Sequence, residues 1–306
     1  LLWPFGWIMA GQLIQVFPSL QRRQVAYYTL TWATFSNLRA GLILLFKTAM
    51  KILLTNDDGM DAPGLKALYE AIKPLGEIAI SAPDQQASAT GHSISLNTPF
   101  RVQTTSWPGV EHAFRISSTP ADCVRTAVLR LLPWKPDLVI SGINQGANYG
   151  TLILYSGTVA AAAEAVILGI PSIAISLTSH TCKNFESSAK FCAQLVKWVE
   201  QMGLAPGLLL NVNVPPLESG QIKGAALTHQ GKFRHIDDLE PHSELAGHFA
   251  YVLNSPSGPM EEHPDSDVAK VQAGYISVTP LHLDLTARQH WTFLSKWPWK
   301  DRNWAG

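Results

Sequence analysis

The chain has 306 residues, 46% of them hydrophobic and 15% charged, enough for one large domain or two small ones. Its formal net charge is zero, which removes the electrostatic case for polymeric nucleic acid as a partner. Three cysteines, Cys123, Cys182 and Cys192, form no Cys-x-x-Cys pair, a pattern of reduced thiols in a cytoplasm rather than of a disulfide framework.

Residues 1–49 differ from the rest. They carry Arg22, Arg23, Arg39 and Lys47 but no acidic residue, and three tryptophans, Trp3, Trp7 and Trp32. The stretch 1–17 is apolar, but Pro4, Gly6, Gln12 and Gln15 interrupt it, and it has neither the basic start of a signal peptide nor a clean span of about twenty apolar residues. This argues against a membrane partner. The segment reads as an upstream extension outside the fold, with Met50 as the natural start.

From Met50 short apolar runs alternate with amphipathic stretches. Ile52–Thr55 reads as a buried strand delivering Asn56-Asp57-Asp58-Gly59 to its carboxyl end, where ligands bind in open α/β sheets. Asp61 reads as the cap of a following helix with Pro63 in its first turn and Leu65, Leu68, Ile72 and Leu75 on its apolar face, closed by Gly76. Ile78–Ser81 is the next strand, followed by a polar loop from Ala82 to His92, then short strands at Phe100–Val102 and Ala113–Ile116. Thr119-Pro-Ala-Asp122 resembles a capping box, with Asp in place of the usual Glu. A strand at Leu138–Ile140 runs into Ser141-Gly-Ile-Asn144-Gln-Gly146-Ala-Asn148-Tyr-Gly150, and Ser156-Gly157-Thr158 opens an Ala-rich helix, Val159–Leu168. Ser172–Ser176 is a strand, Glu186–Met202 a helix and Leu209–Val214 a strand. The alternation predicts a mostly parallel sheet covered on both faces, a Rossmann-like three-layer α/β/α core over residues 50–223. Residues 224–306 read as strands, a His-rich excursion, a strand at Tyr275–Thr279 and a tail holding Trp291, Trp297, Trp299 and Trp304, without an obvious core of their own.

Several of these segments can carry chemistry. Asp57 and Asp58 repel unless a cation, a proton or water intervenes, and oxygen donors in a Gly-bounded turn suit Mg²⁺ or Mn²⁺; the plain alternative is a solvated turn. Asn144 can offer its carbonyl oxygen to a metal or its amide to a phosphate, or it can serve an ordinary turn. Ser156, Gly157 and Thr158 sit where free N–H groups and the helix dipole favour an anion, although a helix needs a Ser cap in any case. Ser88 lies in a polar loop that has no chemistry by itself. His282 follows a strand, and a lone His is more often structural. His235, His242 and His248 are spaced too loosely for a second metal site. No G-x-G-x-x-G follows the first strand, which argues against a dinucleotide-dependent oxidoreductase.

Taken in order, these motifs resemble the SurE family, the stationary-phase survival nucleotidases. The resemblance rests on Asn56-Asp57-Asp58-Gly59 with Ala62-Pro63-Gly64, Ala82-Pro83-Asp84 with Ser88, and Thr119-Pro-Ala-Asp-Cys-Val124. It continues through Ser141-Gly-Ile-Asn144 with Gly146, Asn148 and Gly150, Tyr155-Ser-Gly-Thr-Val-Ala-Ala161, and Gly274-Tyr-Ile-Ser-Val-Thr-Pro-Leu-His282. It spans residues 50–287. Ser118, the stretch Gln85-Gln86-Ala87 and Gln272 depart from the family pattern, and residues 1–49 and the Trp-rich tail have no counterpart in it.

The resemblance implies a phosphatase acting on nucleoside monophosphates with one divalent cation, Mg²⁺ or Mn²⁺, held by Asp57, Asp58, Ser88 and Asn144. Asn148, Ser156, Gly157 and Thr158 would hold the phosphate, and Asp57 and His282 are candidates for proton transfer. It also implies a cytoplasmic homodimer or homotetramer assembled through residues 224–306. Activity on 3′-nucleotides and polyphosphate is within that reading; a nucleotide sensor without turnover on the same fold is the alternative.

Overall fold

The computed structural model of the chain describes residues 49–232, 238–245, 248–254 and 263–299. The expectations for residues 1–48, for His235 and Trp304, and for the side chains of His242 and His248 lie outside the described residues.

The elements run β1 (Met50–Thr55), α1 (Pro63–Ile72), β2 (Gly76–Pro83), β3 (Val102–Thr104), β4 (His112–Ile116), α2 (Pro120–Thr126), β5 (Leu138–Gln145) and α3 (Gly157–Ile167). They continue as β6 (Ser172–Leu177), α4 (Glu186–Met202), β7 (Leu209–Val214), β8 (Ala225–Leu227), β9 (Asp238–Leu245), β10 (His248–Asn254), α5 (Asp267–Gln272), β11 (Ile276–Leu281) and α6 (Trp291–Leu294). A nine-stranded sheet has the order β3-β4-β2-β1-β5-β6-β7-β11-β8, and β9 pairs with β10 in a separate antiparallel ribbon. The strands from β4 to β7 are parallel to one another. β3 is antiparallel to β4, and β11 is antiparallel to β7.

The three layers follow from the apolar pattern. Ile52 and Leu54 of β1, with Ile80, Ile140, Ile173 and Val212 of its neighbours, pack against Leu65, Leu68 and Ile72 of α1 and Ala189, Cys192 and Val196 of α4. Leu53, Ala79 and Val139 face the other way, onto Val124 of α2 and Ala161 and Ala165 of α3. A strand buried on both faces must be apolar at every position, and each fully buried Leu or Ile stabilises the fold by about 1.5–3 kcal/mol. Gly64 lets α1 start against the end of β5, since a Cβ there would lie 2.0 Å from the Ile143 carbonyl oxygen.

Several local expectations are corrected. Asp61 does not cap α1; the N-cap is Ala62 with no side-chain bond, and Asp61 instead accepts from Arg115 at 2.7 Å. Only half of the expected capping box forms: Thr119 accepts from the Asp122 N–H, but the Asp122 carboxylate turns away to Ser95, Ser118 and the Thr119 hydroxyl. Gly76 caps the 3-10 turn Lys73–Leu75 that follows α1, as expected, and also begins β2, and β5 continues through Asn144. Beyond residue 223, β8 and β11 complete the main sheet. In the described part of the tail after β11, Leu285, Trp291, Phe293, Trp297 and Trp299 are exposed. No helix among the described residues is long and apolar enough to cross a membrane.

Candidate active site

The site forms where the parallel strands end. Asn56 shapes the turn after β1 by donating its amide to the Gly59 carbonyl at 2.9 Å, and this sends Asp57 and Asp58 in different directions. Asp57 is buried beneath the start of α3, where Thr158 Oγ1 donates to its Oδ1 at 2.5 Å. Burial pushes the Asp57 carboxyl up to about 6; the Thr158 hydroxyl bond opposes the rise and the neighbouring Asp58 charge adds to it. Asp58 turns toward β5, whose Gln145 N–H donates to its Oδ2 at 3.3 Å. Its pKa is also raised by burial, with the Gln145 N–H and His180 opposing.

Ser88 reaches the same edge by its loop. The Ala87 N–H donates to the Asp57 carbonyl at 2.8 Å, and the Gly91 N–H donates to the Tyr155 carbonyl at 3.0 Å. Farther along, His92 Nε2 lies 3.0 Å from Glu164 Oε2, and the Ser95 N–H donates to Asp122 at 2.9 Å. Glu164, buried on α3, also pairs with Arg125 of α2 at 2.8 Å, so two buried carboxylates anchor the loop. Ser118, which departs from the family pattern, donates to Asp122 at 2.5 Å and contributes to this anchor. Ser88 itself is exposed, and its Oγ accepts from Gln86 at 2.9 Å. Asn144, near the end of β5, donates its amide to the Gly146 carbonyl at 2.9 Å, which leaves its carbonyl oxygen as the group to offer a cation.

These residues fit a divalent metal. The donors are all hard oxygens, and a buried carboxylate with an adjacent like charge calls for a cation. The main influences on Asp57 and Asp58 are burial, hydrogen bonds, the Asp58 charge on Asp57 and His180 on Asp58. Asp57 Oδ2 lies beside Gly157, while Oδ1 accepts the hydrogen bond from the Thr158 hydroxyl. No cluster of three or more His, Cys, Asp or Glu side chains among the described residues is arranged for a metal of another kind.

The expected phosphate seat is partly reassigned. Thr158 spends its hydroxyl proton on Asp57, and its backbone N–H also favours the charged form of Asp57. Ser156 caps α3 by accepting from the Val159 N–H at 3.1 Å, keeping its own proton to donate. Gly157 is required where it stands, since a Cβ would lie 2.9 Å from Asp57 Cβ and 3.2 Å from the Ala87 carbonyl oxygen. Asn148 is buried beside Thr158, with its Nδ2 donating to Ser176 Oγ at 2.8 Å and more distantly to Thr158 Oγ1 at 3.4 Å.

His282 is not brought to this site within the chain. β11 runs antiparallel to β7, with Leu281 opposite Leu209, so its carboxyl end lies at the edge of the sheet away from Asp57. The imidazole beside the acidic pair is His180, in the loop after β6. A Cβ on Gly146 would lie 2.5 Å from its ring, and the Gln145 side chain donates to its carbonyl at 2.8 Å. Sequence reasoning passed over it, although it follows the carboxyl end of a parallel strand. It also passed over buried Asp267 of α5, which accepts from the Gly150 N–H at 3.1 Å and the Gly231 N–H at 2.8 Å and so secures the loop after Asn148.

The chain is similar to the 5′-nucleotidase SurE of Moorella thermoacetica, 44% identical over 238 residues that cover 78% of this chain and 92% of that protein. It is similar to the same-named protein of Desulforudis audaxviator, 45% identical over 258 residues covering 82% and 99%. The crystal structure of the SurE protein from Aquifex aeolicus matches with a TM-score of 0.72 at 39% identity, covering 82% of this chain and 100% of that one. A family model described as survival protein SurE matches residues 52–237, and with these relatives it shows that the chain belongs to the SurE family.

Proposed function

We propose that this chain is a metal-dependent phosphomonoesterase that releases phosphate from nucleoside monophosphates, a 5′-nucleotidase. The observation that carries the reading is a buried Asp57 beside Asp58 and the Ser88 loop, under the N-terminus of an eleven-residue helix, with Asn144 at the carboxyl end of β5. Two relatives more than 40% identical over most of both chains bear the name 5′-nucleotidase SurE.

Asp57 through Oδ2, Asp58, Ser88 and Asn144 would hold one divalent cation, Mg²⁺ or Mn²⁺. The cation supplies charge neutralisation of the phosphate and activation of water. Thr158 fixes the Asp57 carboxylate so that one oxygen faces outward. The Gly157 N–H, the Ser156 hydroxyl and the Asn148 amide receive phosphate oxygens, so catalysis is mainly positioning and electrostatics. Asp57 is assigned the ligand role alone, because Oδ1 is already taken. His180, rather than His282, is assigned the proton for the leaving oxygen, on the strength of its place beside Asp58 and Gly146.

Self-association as a dimer or tetramer is part of this reading. It is supported by the exposed apolar tail and by the β9–β10 ribbon, where Tyr251 and Val252 are exposed. A cytoplasmic setting is supported by three free cysteines. The test is phosphate release from a panel of 5′- and 3′-monophosphates, diphosphates and polyphosphates, with and without Mg²⁺ and Mn²⁺. Metal-dependent release from AMP that disappears in Asp57→Ala is the expected result. Metal-dependent nucleotide binding without turnover would return the sensor reading.

A further inference from the structure

Two buried asparagines on β7 have no part in the site as described so far. Asn211 and Asn213 are fully buried at alternate positions, on the face opposite Val212 and Val214. Asparagine is a poor strand residue, and a buried amide costs stability unless its groups are paired. Asn211 Oδ1 has no hydrogen-bond partner, so the fold carries this residue at a loss. Their paired groups all go to one place. Asn213 Oδ1 accepts from the Asn148 N–H at 2.9 Å, and Asn213 Nδ2 donates to the Asn148 carbonyl at 3.0 Å. Asn211 Nδ2 donates to the same carbonyl at 2.7 Å. One side chain thus pairs with both backbone groups of Asn148, as a neighbouring strand would, and a second reinforces the carbonyl.

We propose that Asn211 and Asn213 are positioning residues for the phosphate seat: they clamp the Asn148 peptide so that its side-chain amide is held at the start of α3. Of the two Asn148 amide bonds, the one to Ser176 is short at 2.8 Å and fixes the side chain, while the one to Thr158 is long at 3.4 Å and is the proton a phosphate oxygen can take over. The contact exists in both the bound substrate and the transition state, so loosening the clamp weakens binding more than turnover. This inference rests on the nucleotidase reading.

The test compares Asn213→Ala and Asn211→Ala with the full wild-type chain. Ser172→Ala is the control, since Ser172 is equally buried but bonds to the Ala162 carbonyl at 2.7 Å, at the other end of β6. Four quantities are read: KM and kcat for AMP, the inhibition constant of inorganic phosphate, Mn²⁺ binding without substrate, and amide hydrogen exchange across residues 146–150. The expected result for Asn213→Ala is a roughly 5- to 50-fold rise in KM and in the phosphate inhibition constant. kcat and Mn²⁺ binding should stay within about threefold, with faster exchange at Asn148 and no such change in Ser172→Ala. Asn211→Ala removes one donor and leaves both Asn213 bonds, so it carries the test, with a smaller shift, if Asn213→Ala does not fold. Faster exchange with an unchanged KM would overturn the proposal, and so would Mn²⁺ binding weakened as much as substrate binding. A wild-type chain that releases no phosphate from AMP would instead overturn the nucleotidase reading, and exchange at Asn148 with phosphate binding would still judge the clamp.

Discussion

Thr158 Oγ1 donates to Asp57 Oδ1 across 2.5 Å although the two residues are 101 positions apart in the chain. The bond joins the helix proposed to seat the phosphate to the carboxylate proposed to hold the cation, so neither can shift alone. Removing the hydroxyl should let the Asp57 carboxylate rotate. Thr158→Val is expected to lower activity by about 10- to 100-fold, the range for partners that orient metal ligands, and to raise the Mn²⁺ concentration needed for half-maximal activity. Thr158→Ser keeps the hydroxyl and should retain most of both. Equal losses in the two variants, measured by metal titration, would deny the bond this role.

Gly157 stands at a tight contact in the site, because a Cβ would meet Asp57 Cβ at 2.9 Å with the Ala87 carbonyl oxygen at 3.2 Å. Neither neighbour can give way: one is the carboxylate proposed to bind metal, already held by Thr158, and the other the backbone of the Ser88 loop. Gly157→Ala should abolish measurable phosphate release while costing about 1–3 kcal/mol of stability. Urea denaturation alongside activity separates the two effects.

Asp57 pays for function with stability. Burial holds its pKa at about 6, above the ordinary carboxylate value, so at pH 7.5 the metal-free fold keeps a desolvated charge. Asp57→Asn keeps the shape and removes that charge. In the presence of a chelator the variant should be more stable than wild type by an amount on the order of 1–3 kcal/mol, while activity is lost. Added Mn²⁺ should stabilise wild type and leave Asp57→Asn little changed. A variant less stable than wild type in chelator would contradict the assignment.

Asp122 has the opposite sign. Burial alone would raise its pKa, but bonds from Ser118, the Ser95 N–H and Thr119 outweigh burial and hold it below the ordinary value. A carboxyl depressed in the fold stabilises it above that ordinary value and loses the contribution as the pH falls through the folded one. Asp122→Asn should therefore cost about 1–3 kcal/mol at pH 7, with the difference from wild type shrinking below about pH 4. Stability curves of both proteins over pH 3–8 check this. A gap that is flat with pH would point to lost packing.

The central strands were legible because burial on both faces forces unbroken apolar runs, and Glu186–Met202 and Leu209–Val214 were bounded as the structure has them. Asp57, Asp58 and Asn144 stand out for the same reason: they interrupt apolar runs at carboxyl ends. The asparagines of β7 interrupt such a run in the same way and could have been found by it. Partners distant in the chain could not be read. Asp61 looks like a helix cap until Arg115, 54 residues away, takes its carboxylate. Thr158 looks like an anion donor until its hydroxyl is found donating to Asp57.

What the sequence determined by itself is the succession of main strands and helices from β1 to β7 and the oxygen donors waiting at strand ends, since each depends on periodicity and residue chemistry within a short stretch. The direction of β11, which carries His282 away from the acidic pair, was decided only by tertiary structure. So were the commitment of Thr158 to Asp57 and the closure of Asn211 and Asn213 on Asn148. A strand has the same local pattern whichever way it pairs, and a hydroxyl or an amide has no assigned partner until folding places one within hydrogen-bonding distance.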